Sequence, residues 1–209
     1  MADQDADVII SYLDELPPAA VADLHDDIHM PGLRIGRQPR PSMPYAGVEW
    51  LLPTAVVLYF AKSYFDGFLK EAGREHYHRV AAALANRWAR FFGPTPEIKV
   101  ALVATAGKVD EDRPYSPTLS LMAEGVAGRS LKLLLCDHGS PDQVRTAVAQ
   151  FLQLVAQLHA GSLDPELASE LDRKYRRAYG MVLLALDPVS GRLVVIDPLR
   201  RPDGEAPQS

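Results

Sequence analysis

Cysteine is nearly absent from this sequence, because Cys136 is its only thiol. One cysteine cannot form an intramolecular disulfide or supply a cysteine-rich zinc knot, so neither scaffold is expected. Basic residues are absent from the first 33 positions, and residues 1–10 carry acids where an export signal carries Lys or Arg. A lone thiol suits a reducing compartment, so these two absences predict a cytoplasmic protein. Cys136 ends the apolar run 133–135 and is expected to be a small buried residue.

A long hydrophobic run is also absent. The longest one, Leu51–Ala61, is interrupted by Pro53 and Thr54, whereas a membrane-spanning helix needs about 20 apolar residues. We therefore predict that this run is buried core, in a helix that continues into the next helical segment. A strand over Val56–Phe60 is the competing assignment. An apolar surface over 48–68 that lies on a membrane is a further alternative, which the short length disfavours.

Positive charge is scarce overall. The formal net charge is −5 and the pI is about 5.7, which argues against sequence-independent nucleic-acid binding because that needs a basic surface. Hydrophobic residues make up 47% of the 209 positions and charged residues 23%, which is enough for a sizeable core. The composition predicts a single domain over 1–199, followed by a flexible tail over 200–209.

Several segments have clear local signals. Val8–Leu13 is rich in β-formers, a helix is expected to begin at Pro18, and four prolines with three arginines make 31–47 an extended connector. Helical spacing extends through the second half of the central block 48–92. Strands are predicted over 98–105, 118–126 and 130–136, and short loops favour an antiparallel meander.

The C-terminal third has the strongest boundary signals. Ser140-Pro141 with Gln143 predicts a capped helix, and Asp164-Pro165 begins a second helix in the same way. Two apolar runs, 181–186 and 193–196, flank a turn and predict a hairpin. Because helices and strands are segregated along the chain, the predicted fold class is α+β, with a mainly antiparallel sheet formed by the meander and this hairpin and packed with helices.

The segment His25-Asp26-Asp27-Ile28-His29 is the sharpest candidate for chemistry. On a helix, His25 and His29 lie one turn apart and could bind one Zn²⁺, with Asp26 as the general base of a metal-dependent hydrolase. No third ligand is set by spacing, and Glu49, His76 and His78 are the candidates. The alternative is that both histidines only flank the apolar stripe of the helix.

Charge is unevenly distributed along the chain. Residues 1–33 contain eight of the 27 acids and none of the 22 bases, so the remaining chain has a net charge of +3. Asp23, Asp26 and Asp27 could therefore bind a basic partner protein. The competing interpretation is that the same acids dock on the basic body of their own chain.

Motifs for nucleotide or hydrolase chemistry are absent, since the sequence has no Walker phosphate loop, no G-x-G-x-x-G and no G-x-S-x-G. A full-sized core without an assembled catalytic set predicts a non-catalytic protein-interaction module: an adaptor, regulator or inhibitor without a cofactor. The zinc hydrolase and the peripheral membrane protein are the alternatives.

Overall fold

The computed structural model describes residues 5–18, 21–41, 54–68, 75–92, 115–116, 118–136, 139–175 and 181–196. The α-helices of these ranges are Ala22–Ile28 (α1), Glu75–Phe92 (α2), Pro141–His159 (α3) and Pro165–Tyr175 (α4), with a π-helical turn at Tyr64–Phe68 and a 3-10 turn at Val126–Gly128. The strands are Val8–Leu13 (β1), Ile35–Arg40 (β2), Val56–Phe60 (β3), Leu119–Glu124 (β4), Ser130–Leu134 (β5), Met181–Leu186 (β6) and Leu193–Ile196 (β7).

All seven strands form one mixed sheet in the order β2-β1-β3-β4-β5-β6-β7. The pairs β1/β2, β3/β4 and β5/β6 are parallel, while β1/β3, β4/β5 and β6/β7 are antiparallel. The predicted mainly antiparallel sheet is therefore wrong. Each parallel pair needs a crossover connection, and helices of the chain lie in all three connections: α1, then α2, then α3 with α4.

Two misassigned segments contribute to this error, and the third parallel pair joins two strands, β5 and β6, that were predicted correctly but not as neighbours. Leu51–Ala61 was expected to be helical, yet Val56–Phe60 is a strand between β1 and β4. The connector 31–47 was expected to lack regular structure, yet Ile35–Arg40 is the edge strand β2. Pro39 is compatible with that position because an edge strand can dispense with one N–H donor.

Several local predictions are confirmed. Ser140 accepts from the Gln143 backbone N–H while the Gln143 side chain accepts from the Ser140 N–H, which is the expected capping box of α3. The hairpin of β6 and β7 and the helical assignment over α2 are also correct. The first helix begins at Ala22 rather than at Pro18. The predicted strand 98–105 and the tail 200–209 lie outside the described residues.

The sheet has two unlike faces. One face packs against helices, because alternate strand residues such as Leu58, Leu121 and Leu133 share a buried cluster with Leu84 of α2 and Phe151 of α3. Helix α2 also packs against α1 and α3. The opposite face is called the second face below. Strands β4, β5 and β6 place six residues on it: Ser120, Met122, Lys132, Leu134, Leu183 and Ala185. The last three belong to a smaller apolar cluster, whereas Ser120 and Lys132 are buried polar residues.

One end of the sheet is held by the buried Asp7. Its carboxylate accepts from Arg34 Nε at 3.1 Å and from Arg34 NH2 at 2.8 Å, so the pair is bidentate, and from Ser63 Oγ at 2.6 Å. Burial acts to raise the pKa of this carboxyl, but the hydrogen bonds from Arg34 and Ser63 outweigh burial and lower the pKa. Asp7 therefore has a structural role in joining the ends of β1, β2 and β3.

Candidate functional site

The two histidines of the predicted zinc motif do lie together. The rings of His25 and His29 stack with their centroids 5.7 Å apart. Helix α1 ends at Ile28, so His29 already has an extended backbone. Among the residues that the structure describes, no group of three His, Cys, Asp or Glu side chains could hold a metal ion. The structure thus brings together two of the predicted ligands and, within those residues, no third.

Asp26, the predicted general base, contacts the first of the two histidines. Its carboxylate is 83% exposed and lies 2.8 Å from Nδ1 of His25, and this hydrogen bond lowers the pKa of Asp26. Of the proposed third ligands, His78 is exposed on α2, whereas Glu49 lies outside the described residues. His76, the remaining candidate, is fully buried and is used in another way.

His76 connects three parts of the fold. Its Nε2 lies 2.9 Å from the carbonyl oxygen of Ile28, which can only accept, so Nε2 carries the hydrogen. In the neutral ring Nδ1 then accepts from the Tyr64 hydroxyl at 2.8 Å. Burial is the main cause that lowers the pKa of His76. The imidazole is therefore held neutral as a cap on the C-terminus of α1, and Arg79 supports it by donating to the carbonyl of His29.

Two of the three acids predicted to bind a partner form ion pairs with their own chain. Arg87 of α2 is only 2% exposed, and its NH1 lies 3.7 Å from Asp23 Oδ2 while its NH2 lies 3.4 Å from Asp27 Oδ2. Arg90 adds a third ion pair, at 3.1 Å from Asp23. Asp23 and Asp27 are still 63% and 45% exposed in these pairs, and Asp26, which contacts His25 instead, is 83% exposed. Two of the three carboxylates therefore attach α1 to α2.

Cys136 is exposed, so the expectation that it is buried is wrong. Strand β5 ends at Leu134, and the chain reaches the surface two residues later. The carbonyl oxygen of Cys136 accepts from Trp88 Nε1 at 2.9 Å, which ties this turn to α2. The neighbouring residues 137 and 138 lie outside the described residues.

A polar cluster on the second face is not among the sites predicted from the sequence. It consists of Arg40, Thr54, Ser120 and Lys132, and we call it the second-face cluster. Arg40 NH2 donates to the Thr54 carbonyl at 2.8 Å, and the Thr54 and Ser120 hydroxyls share a short hydrogen bond. Thr54, Ser120 and Lys132 are all buried.

Lys132 dominates the electrostatics of this cluster. Its side chain is 2% exposed, and burial is the main cause that lowers its pKa to about 8. The positive charge of Arg40 lowers the pKa further. The one available signal in the sequence was a lysine inside the apolar strand Ser130–Leu134, where both neighbours are leucine.

The two edges of the sheet differ in chemistry. Strand β2 exposes Arg37, Gln38 and Pro39, which are residues that discourage pairing with another strand. Strand β7 is Leu-Val-Val-Ile, with Val194 40% exposed. The turn that precedes β7 carries Val189, which is 94% exposed. Within the described ranges, β7 therefore forms a short apolar edge with no charged residue and no proline in the strand itself.

The β7 edge is also well ordered by its contacts. Gln150 of α3 accepts from the Leu193 N–H at 3.1 Å and donates to the Gly191 carbonyl at 2.8 Å. Asp187 closes the turn by accepting from the backbone N–H groups of Val189 and Ser190 and from the Ser190 hydroxyl. These contacts hold the turn and the start of the edge strand.

A comparison with protein-family models, curated proteins and solved structures finds no match to this chain. Within the part of the chain that the structure describes, no helix is both long enough and apolar enough to cross a lipid bilayer. The run predicted to be core is buried at Val56, Leu58 and Phe60 in the sheet, and Tyr64 and Phe65 beyond it are buried as well.

Proposed function

We propose that this chain is a non-catalytic protein-interaction module, an adaptor, regulator or inhibitor, that binds an extended segment of a partner protein along β7. The observation that carries the proposal is the contrast between the protected edge β2 and the apolar edge β7. An exposed sheet edge offers backbone donors and acceptors to a partner strand, and alternate side chains supply specificity. The lone exposed thiol of Cys136 suits the cytoplasmic location that the proposal includes.

The proposal also specifies the chemistry of the partner. Val194 and Ile196 alternate with Val195 across the edge strand, so the added strand should carry apolar residues at alternate positions. The basic partner expected from Asp23, Asp26 and Asp27 is not part of this proposal. Those acids lie on α1, which connects β1 to β2 near the other end of the sheet.

The test is a selection of binding peptides from a random library, followed by calorimetry on the selected sequences. Val194→Lys should weaken binding at least tenfold, because a charged side chain on an edge strand opposes strand addition. Val126→Lys is the matched control, since Val126 is also an exposed valine but lies in the 3-10 turn between β4 and β5. The control should bind as the unaltered protein does.

A second measurement separates strand addition from other binding modes. Methylation of alternate backbone nitrogens in the peptide should abolish binding, and amide hydrogen exchange should slow in β7 when the peptide is bound. Selected peptides that protect only other elements would contradict the proposal. A homodimer that dissociates on Val194→Lys would also contradict it, since a second copy of the chain would then be the occupant of the edge.

The zinc-hydrolase alternative stays a prediction from the spacing of His25 and His29. Elemental analysis of protein purified without chelator tests it directly. About one equivalent of zinc, lost on His29→Ala, would favour that alternative over an interaction module.

A further inference from the structure

The second-face cluster places two cationic side chains over the same face of the sheet. Arg40 is the last residue of β2 and lies opposite Leu13 of β1. Its guanidinium reaches across β1 to Thr54, two residues before β3, where Nη2 donates to the Thr54 carbonyl at 2.8 Å. This hydrogen bond holds the guanidinium over the interior of the sheet instead of at its edge.

Two buried hydroxyls lie beside this guanidinium. Thr54 Oγ1 and Ser120 Oγ share one hydrogen bond, in which one O–H donates and the other oxygen accepts. Each hydroxyl has one hydrogen, so the accepting group retains an O–H that this bond does not use. That O–H is buried, where an additional acceptor would stabilise it.

Lys132 completes the cluster from β5. Ser120 lies opposite Leu134, and Lys132 lies opposite Met122, so Ser120 and Lys132 are diagonal neighbours on one face of adjacent antiparallel strands. The charge of Arg40 also opposes protonation of Lys132 and so contributes to the lowered pKa of its amine. An anion between them would reverse this effect and favour the charged amine.

We propose that the second-face cluster is a binding site for a small oxyanion, a carboxylate or a phosphate monoester, held between Lys132 and Arg40. The oxyanion accepts charge-assisted hydrogen bonds from the ammonium and the guanidinium and a further one from the hydroxyl pair. The site lies on the sheet face and not at the β7 edge, so it is independent of the proposed strand-binding function.

The experiment measures thermal stability of the full chain with inorganic phosphate and, separately, with acetate, at ionic strength held constant with sodium chloride. A saturable rise in Tm with at least one anion is expected. Lys132→Met should weaken the apparent Kd at least tenfold, and Arg40→Gln should do the same. Lys62→Met is the matched control, because Lys62 is an exposed lysine paired with Asp66 and should leave the Kd unchanged.

Titration of the Lys132 amine in the unaltered protein tests the proposal without a variant, so the result does not depend on whether a variant folds. In protein with isotope-labelled lysine, the pKa of the Lys132 amine should rise when phosphate is added. A response to phosphate but not to acetate assigns the site to phosphate monoesters, and the reverse result assigns it to carboxylates. The proposal is overturned if neither anion gives a saturable rise, or if Lys132→Met and Arg40→Gln respond as the unaltered protein does.

Discussion

Replacing Lys132 by methionine should stabilise the protein. The pKa of Lys132 is about 8 in the folded chain, against 10.5 for an ordinary lysine. One pKa unit corresponds to about 1.4 kcal/mol, so the charged amine at pH 7 costs the folded state about 3 kcal/mol relative to the unfolded state. Methionine has a similar length and no charge, and replacing a buried charge by an apolar side chain of similar volume is often stabilising.

The expected gain depends on pH in a defined way. The folded state binds the Lys132 proton more weakly than the unfolded state does, so the unaltered protein loses stability as pH falls from 10.5 to about 8. Below that window the loss is complete and constant. The difference in unfolding free energy between Lys132→Met and the unaltered protein should therefore be near its full value at pH 7 and much smaller above pH 10.5.

Urea unfolding at several pH values, in buffer without phosphate or acetate, measures this difference. A gain of about 3 kcal/mol at pH 7 should raise Tm by roughly 6–12 °C for a chain of this size. Lys62→Met, on an exposed lysine, should change the free energy of unfolding by no more than about 0.5 kcal/mol and leave Tm nearly unchanged. A Lys132→Met protein that is less stable at pH 7 would refute the reasoning, because the ammonium would then contribute more through its contacts than its burial costs.

Two further predictions concern α1. The double change Asp23→Asn with Asp27→Asn should lower the unfolding free energy by about 1–2 kcal/mol, because buried Arg87 loses both carboxylate partners; the value is small because solvent weakens these partly exposed pairs. Asp26→Asn is the control. Equal midpoints of chemical denaturation for the double variant and the unaltered protein would contradict the packing of α1 on α2 through these ion pairs. Because the pKa of His76 is lowered, the contribution of this residue to stability should be complete above pH 6.5 and should decline as pH falls below that value. The difference in unfolding free energy between the unaltered protein and His76→Gln should therefore narrow toward pH 5. A difference that does not change with pH would contradict a neutral buried imidazole.

Local signals in the sequence were sufficient wherever structure depends on neighbouring residues. Ser140 and Gln143 cap α3 because both groups lie within one turn of the helix end. The hairpin of β6 and β7 follows from a six-residue turn, in which Gly191 has a φ of +64° that few other residues adopt readily. Such features require no information from distant parts of the chain.

The order of the strands in the sheet could not be predicted from such local signals. Val56–Phe60 is apolar without helical or alternating periodicity, so its residues fit a buried helix and a buried strand equally well. Only pairing with Val8–Leu13 and Leu119–Glu124 makes it a central strand. Pro39 argued against strand structure in β2, and only its position at the sheet edge makes a proline compatible there.

In the candidate sites, too, some features follow from local sequence and others only from the tertiary structure. The sequence by itself determined that His25 and His29 lie close together, because helical spacing brings residues four apart to one face. It also determined that a lysine stands within an apolar strand. The partners of these side chains were decided by the tertiary structure: Arg87 lies 60 positions after Asp27, and Ser120 lies 66 positions after Thr54. Contacts over such separations depend on how strands and helices pack, and this packing places Arg40 and Lys132 on one buried face.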